Sequence, residues 1–163
     1  MKSVLILRHA KSSWKDPDLT DHDRPLNKRG KGDAPRMGRL LKREHLVPDT
    51  IISSTAIRAL ATAEAVAKAS GYKGEIITNP SLYAAGPHAY IDALHDISDD
   101  YARALIIGHN PGLEELVEIL TGESHLMPTC SLAHVKLDVQ NWLEIGYNTK
   151  GRLARIWQPR DLL

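Results

Sequence analysis

Val4-Leu5-Ile6-Leu7-Arg8-His9-Ala10-Lys11-Ser12-Ser13 stands near the start of the chain, and its reading decides the fold. Four consecutive apolar residues are too few for a helix and stop at a charge, the pattern of a short strand buried on both faces. Strands of this kind belong to parallel sheets covered by helices. The same unit recurs twice. Ile51-Ile52 leads through Ser53-Ser54-Thr55, which are N-cap types, into a helix expected from Ala56 to Ala69 and closed by Gly71. Ala104 to Ile107 runs into Gly108-His109-Asn110-Pro111-Gly112 and then a helix from Leu113 to Leu120.

The remaining segments extend this pattern. Met37, Leu40 and Leu41 recur at helical spacing, so a helix is expected from about Gly32 to Arg43 with Pro35 in its first turn. Ile76-Ile77-Thr78 reads as a strand, and Pro87 to Ile97 as a helix with Tyr90, Ile91, Leu94 and Ile97 on one face. Ala133, Val135, Leu137 and Val139 alternate with other residues, and Leu153 to Trp157 follows the turn at Asn148 to Gly151, as in closing strands with the last at an edge. The expected fold class is therefore α/β: a three-layer α/β/α sandwich around a mostly parallel central sheet of about six strands, in one domain spanning residues 1–163.

Composition narrows the function. Lys and Arg total 21 against 20 Asp and Glu, so a net charge of +1 gives no global field for nucleic acid or an anionic membrane. No nucleic-acid or membrane partner is expected. Cys130 is the only cysteine, which leaves no intramolecular disulfide and no cysteine-rich metal site. The N-terminus meets Arg8 after four apolar residues, short of a signal peptide or a spanning helix, and the expected location is the cytoplasm.

In an open α/β sheet, ligands bind at the carboxyl ends of the parallel strands. That rule selects three loops: Arg8-His9 with Ser12, Ser53-Ser54-Thr55 with Arg58 in the following helical turn, and Gly108-His109-Asn110. Taken singly, Arg8 and His9 could merely end a buried strand, Arg58 could be a solvated helix residue and His109 a structural histidine. Together they place two guanidiniums and two imidazoles at one sheet edge, beside helix N-termini that offer N–H donors. Guanidiniums fork onto phosphoryl oxygens, and an imidazole among cations stays neutral and nucleophilic. The site reads as an oxyanion trap. Motifs for P-loop, dinucleotide, zincin and serine-hydrolase chemistry are absent. His22, His45, His88, His95, His125 and His134 lack metal-ligand spacing, and His22 is expected at the site's rim.

These residues resemble a known family. Leu7-Arg8-His9-Ala10 is similar to the R-H-G motif of the histidine phosphatase superfamily, which includes the phosphoglycerate mutases. Arg24-Pro25-Leu26 with Gly30, Ser53 to Ala59 with Thr62-Ala63, and Gly108-His109-Asn110-Pro111 resemble its further motifs in the same order. The short length and the R-H-A-K-S-S-W opening are similar to the SixA-like branch, the phosphohistidine phosphatases. The resemblance implies a phosphoglycerate mutase-like fold and His9 as the nucleophile, with Arg8 and Arg58 as phosphate clamps and His109 as second histidine. Ser12 and Arg24 are expected to bind substrate, with no metal or other cofactor.

The chain departs from the family at Ala10, Thr55 and Ala61. A larger departure is that Leu82-Tyr83-Ala84-Ala85-Gly86 supplies no acid where ester-cleaving members carry one. Asp16, Asp18, Asp21 and Asp23 of the first loop are the remaining candidates. The function implied is a phosphohydrolase working through phosphohistidine on His9, acting on phosphorylated protein, with a phosphohistidine-containing signalling protein as partner. A small-molecule phosphomonoesterase, a mutase and a non-catalytic phosphate-binding module stay open as alternatives.

Overall fold

The computed structural model describes residues 1–162 and holds a six-stranded sheet in the order β3-β2-β4-β1-β5-β6. Its strands are β1 (Lys2–Arg8), β2 (Thr50–Ser54), β3 (Ile76–Asn79), β4 (Arg103–Gly108), β5 (Leu132–Leu137) and β6 (Gly151–Trp157). The helices are α1 (Lys28–Arg43), α2 (Ile57–Ser70), α3 (Pro87–His95) and α4 (Gly112–Thr121). β1, β2, β3 and β4 run parallel, while β5 pairs antiparallel with β1 and β6 with β5. Edge strand β6 lies where the turn at Asn148 to Gly151 implies it.

Side-chain alternation divides the core into two layers. Val4 and Ile6 of β1 face one side with Ile106 of β4, under Tyr90 and Leu94 of α3 and Leu113, Leu116 and Val117 of α4. Leu5 and Leu7 face the other with Leu105 and Ile107, under Met37, Leu40 and Leu41 of α1 and Ala63 and Val66 of α2. The result is the expected α/β/α sandwich. Fully burying an aliphatic side chain is worth about 1.5–3 kcal/mol, so the central strands, apolar on both faces, hold the two helical layers to one sheet.

Several boundaries differ from expectation; α3, for example, ends at His95 rather than Ile97. α1 starts at Lys28, because the Asn27 side chain accepts from the Gly30 N–H at 2.9 Å and caps the helix there. Pro35 consequently lies inside α1, where the contact of α1 with α2 outweighs its local cost. α2 starts at Ile57 after an N-cap, Ala56, that has no capping side chain; Ser54 Oγ accepts from the Ala56 N–H instead, at 3.2 Å. Val139 falls beyond β5 yet stays buried in the core beneath α3 and α4.

The strand order positions the site. β2, β4 and β1 are adjacent and parallel, with Arg8 opposite Gly108 and Ser53 opposite Ile107, so their carboxyl ends form one edge. β5 runs the other way and pairs Leu132 with Leu7, which brings the segment preceding it to that same edge.

Candidate active site

A cleft of about 240 Å³ opens at this edge, lined by Arg8, His9, Ser12, Arg58 and His109 among others. His9 is buried beyond the end of β1. Its Nδ1 lies 2.8 Å from the Ala10 carbonyl oxygen, which can only accept, so Nδ1 carries the proton and Nε2 keeps its lone pair. Ala10 N–H in turn donates to Thr62 Oγ1 at 3.0 Å, and the Thr62 hydroxyl donates to the Arg58 carbonyl at 2.7 Å, tying this turn to α2.

Arg58, in the first turn of α2, is buried and uses all three guanidinium nitrogens. Nε donates to His9 Nε2 at 3.4 Å, Nη1 to the Asp21 carbonyl at 2.6 Å and Nη2 to Asp21 Oδ2 at 3.0 Å. His109 stacks obliquely on His9, with ring centroids 5.1 Å apart. Its Nε2 is 2.8 Å from Ser54 Oγ, which already accepts from Ala56 N–H. His109 Nδ1 is buried and has no protein partner. Arg8 Nη1 donates to the Met127 carbonyl at 3.1 Å, and its buried Nε also has no protein partner.

Electrostatics keep both imidazoles neutral. Burial first, then the guanidiniums of Arg58 and Arg8, pushes His9 down to about 3. Burial and Arg58 push His109 down to about 4. At neutral pH the pocket thus holds a neutral nitrogen nucleophile beside two guanidiniums, an arrangement able to attack a phosphoryl group and hold its charge.

Around this centre lie residues that the sequence nominated or left open, and two segments that it did not mark. Asp21, one of four loop carboxylates considered, spans the site: Oδ2 accepts from Arg58 and from the Tyr83 hydroxyl at 2.6 Å, and Oδ1 from Arg24 Nε at 3.1 Å. The Tyr83 hydrogen bond, with Arg58 and Arg24, lowers Asp21 to about 2. Asp23 turns to His22, and Asp16 caps the backbone of Asp18, outside the cleft. His22 sits at the rim, its Nε2 2.9 Å from Thr55 Oγ1 and its ring edge-on to Tyr83. Arg24 is buried and donates to Ser12 Oγ at 2.8 Å, so both line the cleft as one unit. Trp14 and the segment around Met127 and Thr129 complete the walls. The only sequence signal for Trp14 was its place in R-H-A-K-S-S-W. None marked Met127 or Thr129, because they precede an antiparallel strand.

The glycine of Gly108-His109 has a steric reason. A Cβ there would stand 2.2 Å from the Tyr90 hydroxyl, which accepts the His109 N–H at 3.0 Å. Among the described residues no helix is long and apolar enough to cross a membrane.

Fold and site together define a phosphoryl-transfer pocket built on histidine and arginine, and sequence comparison places it. A model of the histidine phosphatase superfamily (branch 1) matches residues 4–83, and the chain belongs to that superfamily. It falls in the SixA-like branch: a solved chain from Agrobacterium tumefaciens named as a phosphohistidine phosphatase SixA superposes with a TM-score of 0.81 at 28% identity, covering 97% of this chain and 99% of that one. The protein histidine phosphatase SixA complexed with tungstate superposes with a TM-score of 0.80 at 25% identity, covering 99% of both chains. An uncharacterized chloroplastic protein of Arabidopsis thaliana is 34% identical over 152 residues, 88% of this chain and 70% of its own length.

Proposed function

We propose that the protein is a phosphohistidine phosphatase acting on phosphorylated protein, with residues 1–163 forming one catalytic domain. The observation that carries this reading is the fixed tautomer of His9: Nδ1–H is spent on Ala10, and Nε2 points its lone pair toward Arg58. His9 Nε2 attacks phosphorus as the bond from phosphorus to the leaving atom breaks, and the leaving group departs with its electron pair and takes a proton from solvent. Water then attacks the phosphohistidine, releasing orthophosphate and restoring neutral His9. Arg8, Arg58 and His109 stabilise the equatorial oxygens, while Ser12 and Arg24 hold the phosphate side of the loop.

Asp21 supports the proposed substrate class. A carboxylate lowered to about 2 by Tyr83 and Arg58 is ionised at neutral pH and has no proton to give. Positioned acids contribute roughly 10²–10⁴-fold, so substrates whose leaving group needs such help are disfavoured. Imidazole and phenolate need it least. Relatedness to SixA proteins supports the protein-borne phosphohistidine within this class, and the lone buried Cys130 fits a reducing compartment such as the cytoplasm.

A turnover panel tests the reading. Phosphohistidine protein and aryl phosphate are expected well above sugar phosphates, and wild-type enzyme quenched in mid-turnover carries acid-labile phosphate. His9→Ala removes that phosphate and lowers the rate by more than about 10³-fold. Sugar phosphates hydrolysed as fast as aryl phosphates would overturn the substrate class; a folded His9→Ala protein with several per cent of wild-type rate would overturn the nucleophile.

A further inference from the structure

We propose that Trp14 is a stacking platform for the leaving group, selecting substrates whose phosphoryl group is bonded directly to a planar ring; the inference rests on attack by His9. Trp14 is 75% exposed, which for an indole leaves a large apolar surface in water. It is nevertheless held in place. The Arg24 guanidinium lies 3.4 Å from the centre of its ring and covers one face. Arg24 is itself buried and fixed by Asp21 Oδ1 at 3.1 Å, Ser12 Oγ at 2.8 Å and the Ser13 carbonyl at 3.3 Å. Ser13 is tied twice, its N–H donating to the Pro25 carbonyl at 2.8 Å and its side-chain Oγ accepting from Lys15 N–H at 3.1 Å. The indole thus lines the cleft mouth from a fixed support.

In-line displacement sets what it meets. His9, Arg58 and His109 are buried at the floor, whereas Trp14 and Lys11 are the exposed residues of the lining and form the mouth. A nucleophile at the floor expels its leaving group toward the mouth. There the group meets the exposed indole of Trp14, which is held by its stacking on Arg24. An imidazole or phenyl ring attached to phosphorus can lie against it, whereas a sugar or alkyl chain offers no matching face.

The test uses phenylphosphonate and methylphosphonate, whose carbon–phosphorus bonds are not cleaved, with the full-length protein. The readout is the ratio of the two dissociation constants, which cancels any general change in phosphate affinity. The wild type is expected to prefer phenylphosphonate by about five- to tenfold. Trp14→Ala and Trp14→Leu reduce the preference below about twofold, while Trp14→Phe keeps most of it. Trp142 and Trp157 are buried, so a change in indole emission caused by phenylphosphonate alone, and lost in Trp14→Phe, reports contact at Trp14. An unchanged preference in Trp14→Ala, or a full preference in Trp14→Leu, overturns the proposal. Binding needs no turnover, so absence of phosphoenzyme would count against the phosphatase reading while leaving the Trp14 result to be judged separately.

Discussion

Arg58 serves three partners with one planar group: Nε faces the proposed nucleophile, and the two terminal nitrogens grip the backbone and carboxylate of Asp21. That fork fixes the guanidinium plane over His9 before substrate arrives. A lysine ammonium keeps the charge but offers a single flexible point, unable to hold the plane or bind two phosphoryl oxygens at once. Arg58→Lys is therefore expected to lower kcat/KM for an aryl phosphate by about 10²–10³-fold, the cost of one preorganised donor in such sites. Steady-state kinetics on folded protein decides this, and rates within threefold of wild type would place Arg58 outside the reaction. Residue types and spacing were enough to nominate Arg58. Its tie to Asp21 was not legible, because four similar loop carboxylates competed and only the folded loop brings one of them over α2.

At the scale of elements, the loop after β1 stays in place because α1 packs directly beneath it. A Cβ on Gly30 would lie 2.1 Å from the Lys11 carbonyl oxygen, a backbone atom that cannot move without carrying Ser12 with it. Gly32, in the same helix and solvent-exposed, has open space where a Cβ would stand. The two glycines should respond oppositely to alanine. Gly30→Ala is expected to destabilise by about 1–3 kcal/mol and to depress turnover through the displaced loop. Gly32→Ala should stabilise by about 0.5–1 kcal/mol through helix propensity, with turnover kept. Thermal melts and kinetics of the pair check both signs, and equal tolerance at the two positions would show that α1 does not buttress the loop.

Across the whole molecule, neutral buried histidines couple stability to pH. His9 and His109 are lowered by burial from an ordinary value near 6.5 to about 3 and about 4; burial lowers His134 in the same direction. A lowered folded value means that the unfolded chain binds protons first as pH falls. Their effect is absent above pH 6.5, and stability declines as pH drops from there toward the folded values. Urea unfolding at pH 7.5 and 5.0 is expected to show a loss of up to about 2 kcal/mol for each of His9 and His109. His9→Ala, with one such imidazole fewer, should lose less. Stability unchanged between the two pH values would mean that these rings take up protons in the folded protein as readily as in the unfolded chain.

The sequence by itself determined the layered α/β fold and the convergence of Arg8, His9, Arg58 and His109. Both rest on local signals: short apolar strands running into helices, and the general rule that loops leaving parallel strands share one edge. It could not determine the contribution of the segment around Met127 and Thr129, since that depends on β5 pairing antiparallel with β1. Nor could it show that Asp21 is held ionised, that Ser54 bonds His109, or that Trp14 is braced by Arg24. Those features are contacts between residues distant in the chain or on a long polar loop, and only the packed tertiary structure brings their atoms within bonding distance.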